Sequence, residues 1–261
     1  MPIISLEYHD VVPNGHWDDS GFPGEAAASY KLSTDLFRLH LDALAGVGIL
    51  VGASVHKALA EAHDSALLTF DDGGSSATVI AALLEERGWC AHLFIATDQL
   101  GQSGFLKRDE VKALAKLHVV GSHSASHPTR MSRLTDAQLR EEWNRSVGEL
   151  QDVLGQRVSV ASVPGGYYSR RVAEAAVSAG VEVLFTSEPV TGIERVGASV
   201  VLGRFTLRRH HDAAYVKQLV GKSPMARGTQ WVHWNLKKAG KQLAGDTYLR
   251  FRDALFERRP R

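Results

Sequence analysis

The sequence predicts an α/β fold, and three observations carry that reading. Short apolar runs alternate with segments of helical periodicity for most of the chain, the pattern of a sheet built from βα units. No internal repeat or low-complexity tract interrupts the alternation. The acidic and histidine pairs that could carry chemistry stand where apolar runs end, which is where α/β folds place their sites.

The first strand is expected over 3–8, where IISLEY gives an apolar start to the chain. The next, 66–70, runs into Asp71, Asp72 and two glycines. Runs at 91–96, 119–121, 158–162, 181–186 and 200–202 complete about seven strands. Helices are expected over 35–45, 76–87, 109–117, 136–154 and 169–179, with Thr34, Ser75 and Thr135 as N-cap signals. About seven strands with helices between them fit a barrel or a doubly wound sheet.

Composition narrows the class. A chain of 261 residues, 44% hydrophobic and 23% charged, can bury a sizeable core and falls near the globular average. No stretch approaches the roughly 20 apolar residues of a membrane-spanning helix. Cys90 is the sole cysteine, which excludes an intrachain disulfide and leaves histidines and carboxylates as metal ligands. The opening MPIISLEYHD has no basic n-region or cleavage site, so it reads as a strand and a cytoplasmic location is expected.

The net charge of +1 conceals an asymmetry: residues 222–261 hold 10 Lys/Arg against 3 Asp/Glu, leaving 20 against 26 in residues 1–221. The expected organisation is a barrel over 1–221 followed by a basic helical extension over 222–261, packed on it. Within that extension, residues 229–243 read as an amphipathic helix with Trp231 and Trp234 among lysines. Packing on the barrel and contact with a cytoplasmic membrane surface are the two roles it suits. No nucleic-acid motif accompanies the charge.

Asp71 and Asp72 repel each other if both are ionised and desolvated, so a cation or a shared proton is expected beside them. The best source lies in VVGSHSASHP, where His123 and His127 stand four apart after another apolar run. Neutral imidazole with carboxylate oxygen suits Zn²⁺ or a similar divalent ion, and three protein ligands leave a position open, as in catalytic sites. A third stretch, ASVPGGYYSRR from Ala161 to Arg171, offers backbone N–H groups after a strand.

In order and spacing, TFDDG, HSASHP and VPGGYY resemble the motifs of the polysaccharide deacetylase family, carbohydrate esterase family four, whose domains are also called NodB-homology domains. The resemblance covers roughly residues 3–186. It implies a distorted (β/α) barrel with fewer than eight strands and metal-dependent removal of N- or O-acetyl groups from sugars. By that likeness Asp71 is the general base and Asp72, His123 and His127 hold the metal, Zn²⁺ first among Co²⁺, Ni²⁺, Mn²⁺ and Fe²⁺. Gly165 and Tyr167 then fall on the substrate and oxyanion side. The implied partner is an acetylated amino sugar or glycan of surface or exopolysaccharide biosynthesis.

The sequence also departs from the family. An arginine usually stands two residues before the motif-three proline to hold the base, and Ser162 stands there instead. Arg204, Arg208 or Arg209, in LGRFTLRRHH, are the candidates to replace it. The late Leu-x-His that supplies the general acid is not evident. EYHDVVP resembles the opening of the permuted poly-N-acetylglucosamine deacetylase branch, which makes His9 the acid, with His210 as its competitor. These departures leave two other readings, a degenerate glycan-binding member and a hydrolase of another amide such as a formamido sugar.

Overall fold

The computed structural model describes residues 3–236 apart from 62 and 222. Its strands are β1 (Ile3–Tyr8), β2 (Val11–Val12), β3 (Leu32–Ser33), β4 (Leu50–Val51), β5 (Ser65–Phe70), β6 (Ala91–Ile95), β7 (Val119–Ser122), β8 (Val160–Ser162), β9 (Val183–Phe185), β10 (Ile193–Val196), β11 (Ser199–Leu202) and β12 (Phe205–Thr206). The α-helices are α1 (Glu25–Ala28), α2 (Thr34–Ala45), α3 (Val55–Ala60), α4 (Ala77–Glu85), α5 (Arg108–Leu114), α6 (Asp136–Leu154), α7 (Arg170–Ser178) and α8 (Ala213–Val220).

The main sheet has ten strands in the order β10-β11-β9-β8-β7-β6-β5-β1-β12, with β4 also paired to β5. Every pair in it is parallel except β10 with β11. Parallel strands with helical crossovers are covered on both faces, so their residues are apolar without alternation, and β1, β5 and β6 are buried throughout. Among the described residues no pairing joins β10 to β12, so the curled sheet is a half-barrel. The seven expected strands form its body, and β4, β10 and β12 are additions that the apolar runs did not reveal.

Capping explains the helix starts, with two corrections. Ser33, rather than Thr34, caps α2 by accepting from the Leu36 N–H at 3.2 Å. Ser76 holds the cap position of α4, and its hydroxyl is drawn into the site instead. Thr135 and Gln138 close the expected capping box on α6.

Residues 225–236 are helical, and the remainder of the expected helix over 229–243 lies outside the described residues, as does most of the basic segment. Two observed contacts tie this stretch to β12 and to the turn after β8. Gln230 Nε2 donates to the Thr206 carbonyl at 2.9 Å, and the Trp234 ring lies over Gly166, where a Cβ would come within 2.7 Å of it. Among the described residues no helix is long and apolar enough to cross a membrane.

Candidate active site

Parallel strands direct their C-terminal ends to one edge of the sheet, and the chemistry-bearing residues collect there. Asp71 and Asp72 follow β5, His123 and His127 follow β7, Ser162 ends β8, His9 follows β1, and Arg204 precedes β12. The turn after β5 is tight because Gly74 must pass close to Asp10, whose Oδ1 would stand 2.0 Å from a Cβ at that position.

Adjacent carboxylates separate onto different partners. Asp71 receives a bidentate guanidinium, with Arg204 Nη1 on Oδ1 at 2.6 Å and Nη2 on Oδ2 at 2.7 Å. Arg204 is fully buried and spends its other donors on Glu7 Oε1 (3.1 Å), Thr69 Oγ1 (3.2 Å) and the Thr186 carbonyl (3.2 Å). Five bonds match the five N–H donors that a guanidinium has. Burial by itself would raise the Asp71 carboxyl, but the charge and hydrogen bonds of Arg204 outweigh it and hold it at about 2. Of the three arginines named from the sequence, Arg204 therefore takes the place that Ser162 left open. Arg208 lies instead over the Tyr30 ring, 4.1 Å from its centre, and Arg209 over Trp17 at 4.7 Å.

Asp72 faces the imidazoles. Its Oδ1 lies 3.3 Å from His127 Nε2 and 3.5 Å from His123 Nε2, and the three side chains offer ligand atoms within 4.8 Å of one another. His123 Nδ1 faces the Ser162 carbonyl at 3.2 Å and the Ser162 hydroxyl at 2.6 Å. A carbonyl only accepts, so Nδ1 carries the proton and Nε2 turns its lone pair toward the carboxylates. Two ring nitrogens and a buried Asp72 Oδ1 without a hydrogen-bond donor thus converge. That set of acceptors is stable around a cation, and its N, N, O composition fits a divalent metal of the zinc type.

Ser162 reaches both halves of the site. Its hydroxyl donates to Asp71 Oδ1 at 3.2 Å while facing His123 Nδ1. The backbone is strained at the same place. Asp72 (φ 76°), Ser124 (φ 62°) and His127 (φ 54°) are the non-glycine residues in the left-handed region among those described, and all belong to the two ligand turns. Such conformations cost on the order of 1–3 kcal/mol each and persist where the surroundings fix them.

His9 and His210 part company. His9 has ligand atoms within 4.8 Å of those of Asp71 and Glu7, and its Nδ1 is buried without a hydrogen-bond partner. His210 is exposed in the turn before α8, with its ring 4.3 Å from that of His211, and the structure does not bring it into that cluster. Gly165 (φ 66°) lies in the short turn Pro164–Gly166 after β8, where a Cβ would come 2.8 Å from the Thr129 carbonyl. Tyr167 follows, with the Arg130 guanidinium 5.5 Å from its ring centre.

Sequence reasoning missed the residues that hold the cover of this site. Lys31, 1% exposed, donates to the carbonyls of Trp17, Ser20 and Phe22 at 2.6, 2.6 and 2.7 Å. That pins the loop over 13–24 so that Phe22 packs 4.8 Å from the His127 ring. Asp10 accepts from Ser20 Oγ (2.5 Å) and Ser76 Oγ (2.8 Å), tying the same loop to the start of α4. A lone buried lysine or aspartate has no signature in one sequence, because its partners are backbone carbonyls and hydroxyls.

Comparison with known proteins bears on the family and the fold. Residues 60–184 match the family model for polysaccharide deacetylase. YxkH of Bacillus subtilis (strain 168), which carries the polysaccharide deacetylase name, is 27% identical over 125 residues, 47% of this chain and 44% of its own length. The chain thus spans less than half of that relative. Among solved structures, the Bacillus cereus polysaccharide deacetylase BC0361 has a TM-score of 0.70 at 17% identity, covering 85% of this chain and 69% of its own. The Streptococcus pyogenes deacetylase PplD in complex with acetate has a TM-score of 0.67 at 18% identity, covering 85% and 99%. IcaB from Ammonifex degensii has a TM-score of 0.65 at 20% identity, covering 88% and 96%. At these identities the three structures establish the fold.

Proposed function

This chain belongs to the polysaccharide deacetylase family, and we propose that it hydrolyses the acetyl group of an amino sugar, or of a sugar ester, with one divalent metal. The observation that carries the reading is the division of labour between neighbours: Asp71 is held by Arg204, while Asp72 faces His123 and His127.

Asp72, His123 and His127 would hold the metal. When bound there, a divalent ion supplies Lewis-acid polarisation of the acyl carbonyl and of water. Asp71, kept ionised by Arg204, accepts the proton of the attacking water as the C–O bond forms. Its low basicity means that the proton moves only as the water oxygen loses charge to the carbonyl carbon, so Asp71 orients the water as much as it deprotonates it. The Gly165 N–H would meet the developing oxyanion. His9 gives its proton to the departing sugar nitrogen as the C–N bond breaks, which leaves an amino sugar and acetate. Phe22 packs against His127 and covers part of that side.

The reading of a glycan-binding member without turnover drew on the missing motif-three arginine. Arg204 supplies that contact, which supports an intact site. The test is acetate release from N-acetylated chito-oligosaccharides with zinc binding measured in parallel. Asp71→Asn is expected to keep zinc and lose about 10²–10⁴ in turnover, whereas Asp72→Asn loses zinc. Equal loss of zinc in both variants would contradict the division of roles.

A further inference from the structure

Resting on the deacetylase reading, we propose that Arg208 and Arg209 form an anion subsite beside the reaction centre, and that the sugar acted on carries a phosphate or carboxylate group. Both arginines belong to the segment that follows β12, and each lies over an aromatic ring. The Arg208 guanidinium stands 4.1 Å from the Tyr30 ring centre with Nη2 donating to the Tyr30 hydroxyl at 2.6 Å, and Arg209 stands 4.7 Å from that of Trp17. The Tyr30 ring packs in turn on His9, with centres 4.9 Å apart. One aromatic ring therefore separates a guanidinium from the imidazole that reaches Asp71. A sugar whose acyl group lies at Asp71 and His9 would project its next substituent toward Tyr30 and Arg208.

Neither arginine pairs with a carboxylate among the described residues, although three acidic groups stand close by in the chain. Each of those is engaged elsewhere. Asp18 accepts from the Gly24 N–H at 2.8 Å, Asp19 faces His16 Nδ1 at 3.1 Å, and Asp212 caps α8 through the Tyr215 N–H at 2.8 Å. The main chain holds the pair in place: Arg208 N–H donates to His211 Nδ1 at 3.1 Å and Arg209 N–H to the Ser29 carbonyl at 3.2 Å. The Arg208 guanidinium, held by Tyr30 and Ser29, and that of Arg209, laid over Trp17, keep N–H donors to spare beside aromatic rings, which matches an anion attached to a glycan.

The test compares equilibrium binding of three probes to the Asp71→Asn full-length chain, which does not consume them: N-acetylglucosamine 1-phosphate, its neutral methyl glycoside, and an N-acetylated disaccharide bearing a glucuronate. At low salt the charged probes are expected to bind about tenfold more tightly than the methyl glycoside, and added salt should shrink the difference. Adding Arg208→Gln and Arg209→Gln together should bring the ratio near one. Lys116→Gln, an exposed position entering β7 at the opposite end of the strands, should leave it unchanged. Preference for the phosphate alone assigns a phosphorylated carrier, and preference for the glucuronate alone an acidic polymer. Equal binding of neutral and charged probes, or a ratio that survives the double arginine substitution, overturns the subsite. An arginine-dependent preference with no acetate released from any probe by the unsubstituted chain keeps the subsite and rejects the deacetylase reading.

Discussion

The two ends of the sheet treat buried histidines in opposite ways. At the entry end, His92 in β6 donates from Nδ1 to the Leu68 carbonyl at 3.1 Å and accepts at Nε2 from the Val55 N–H at 2.9 Å. His118, just before β7, accepts from the Ala91 N–H at 3.1 Å and turns its other nitrogen to Glu85 at 3.2 Å. Both rings are spent on the fold itself. At the exit end, His123 commits only Nδ1 to Ser162, and its Nε2 joins that of His127 at Asp72. Burial does not distinguish these groups, since His92 and His123 are both enclosed. What separates a structural imidazole from a reactive one is whether its second nitrogen has somewhere to go within the fold.

Charge makes the largest expected difference between the ends. Replacing Arg204 by Met strips Asp71 and Glu7 of their buried counter-charge, and urea unfolding is expected to show a loss of about 3–5 kcal/mol. A change under about 1 kcal/mol would mean that the exit end does not depend on that ion pair. Protonation probes the entry end. Burial is the main cause that depresses His92, to about 4 against an ordinary 6.5, so the folded state favours its neutral form. Its contribution is fully present above pH 6.5 and declines as pH falls toward 4, by about 3 kcal/mol in all. Unfolding midpoints for the chain and for His92→Asn should therefore converge across that window, and parallel curves would contradict the assignment. The smallest effect sharpens the contrast. Ser162→Ala removes the hydroxyl shared by Asp71 and His123, and zinc affinity measured by calorimetry should fall about 10- to 100-fold while the fold holds. An unchanged affinity would show that the Ser162 carbonyl alone orients His123.

These contrasts also explain what the sequence could and could not disclose. Asp71, Asp72, His123 and His127 were legible because each pair stands just past an apolar run, 66–70 for the carboxylates and the shorter 119–121 for the histidines, and a run that stops at such a pair marks a strand end. The arginine was not. Arg204 precedes a strand of two residues, too short to register as a periodic signal, and its partner lies 133 positions earlier. Arg208 and Arg209 offered the same charge nearby, and only the pairing of Leu6 and Glu7 with Phe205 and Thr206 selects among the three. Spacing showed that His123 and His127 could share an ion. It said nothing of the left-handed backbone at Asp72, Ser124 and His127, because no local residue preference demands it. His92 and His118 carried no signal at all, as their partners, the backbone of Leu68, Val55 and Ala91 and the Glu85 carboxylate, lie in elements distant in sequence.

The junction of β1 with β12 has a consequence in time. The span matched by the family model, 60–184, contains the acidic pair and both ligand histidines but neither His9 nor Arg204, which come from the two ends of the described chain. At a synthesis rate of about 5–20 residues per second, Arg204 leaves the ribosome on the order of 10 s after Asp71. Through that interval a carboxylate destined for the interior has no cation to meet it, so β5 cannot bury its end at a profit until β12 arrives. The nascent chain is thereby kept from closing its reaction centre early, and the last of the described strands to be made is the one that completes it.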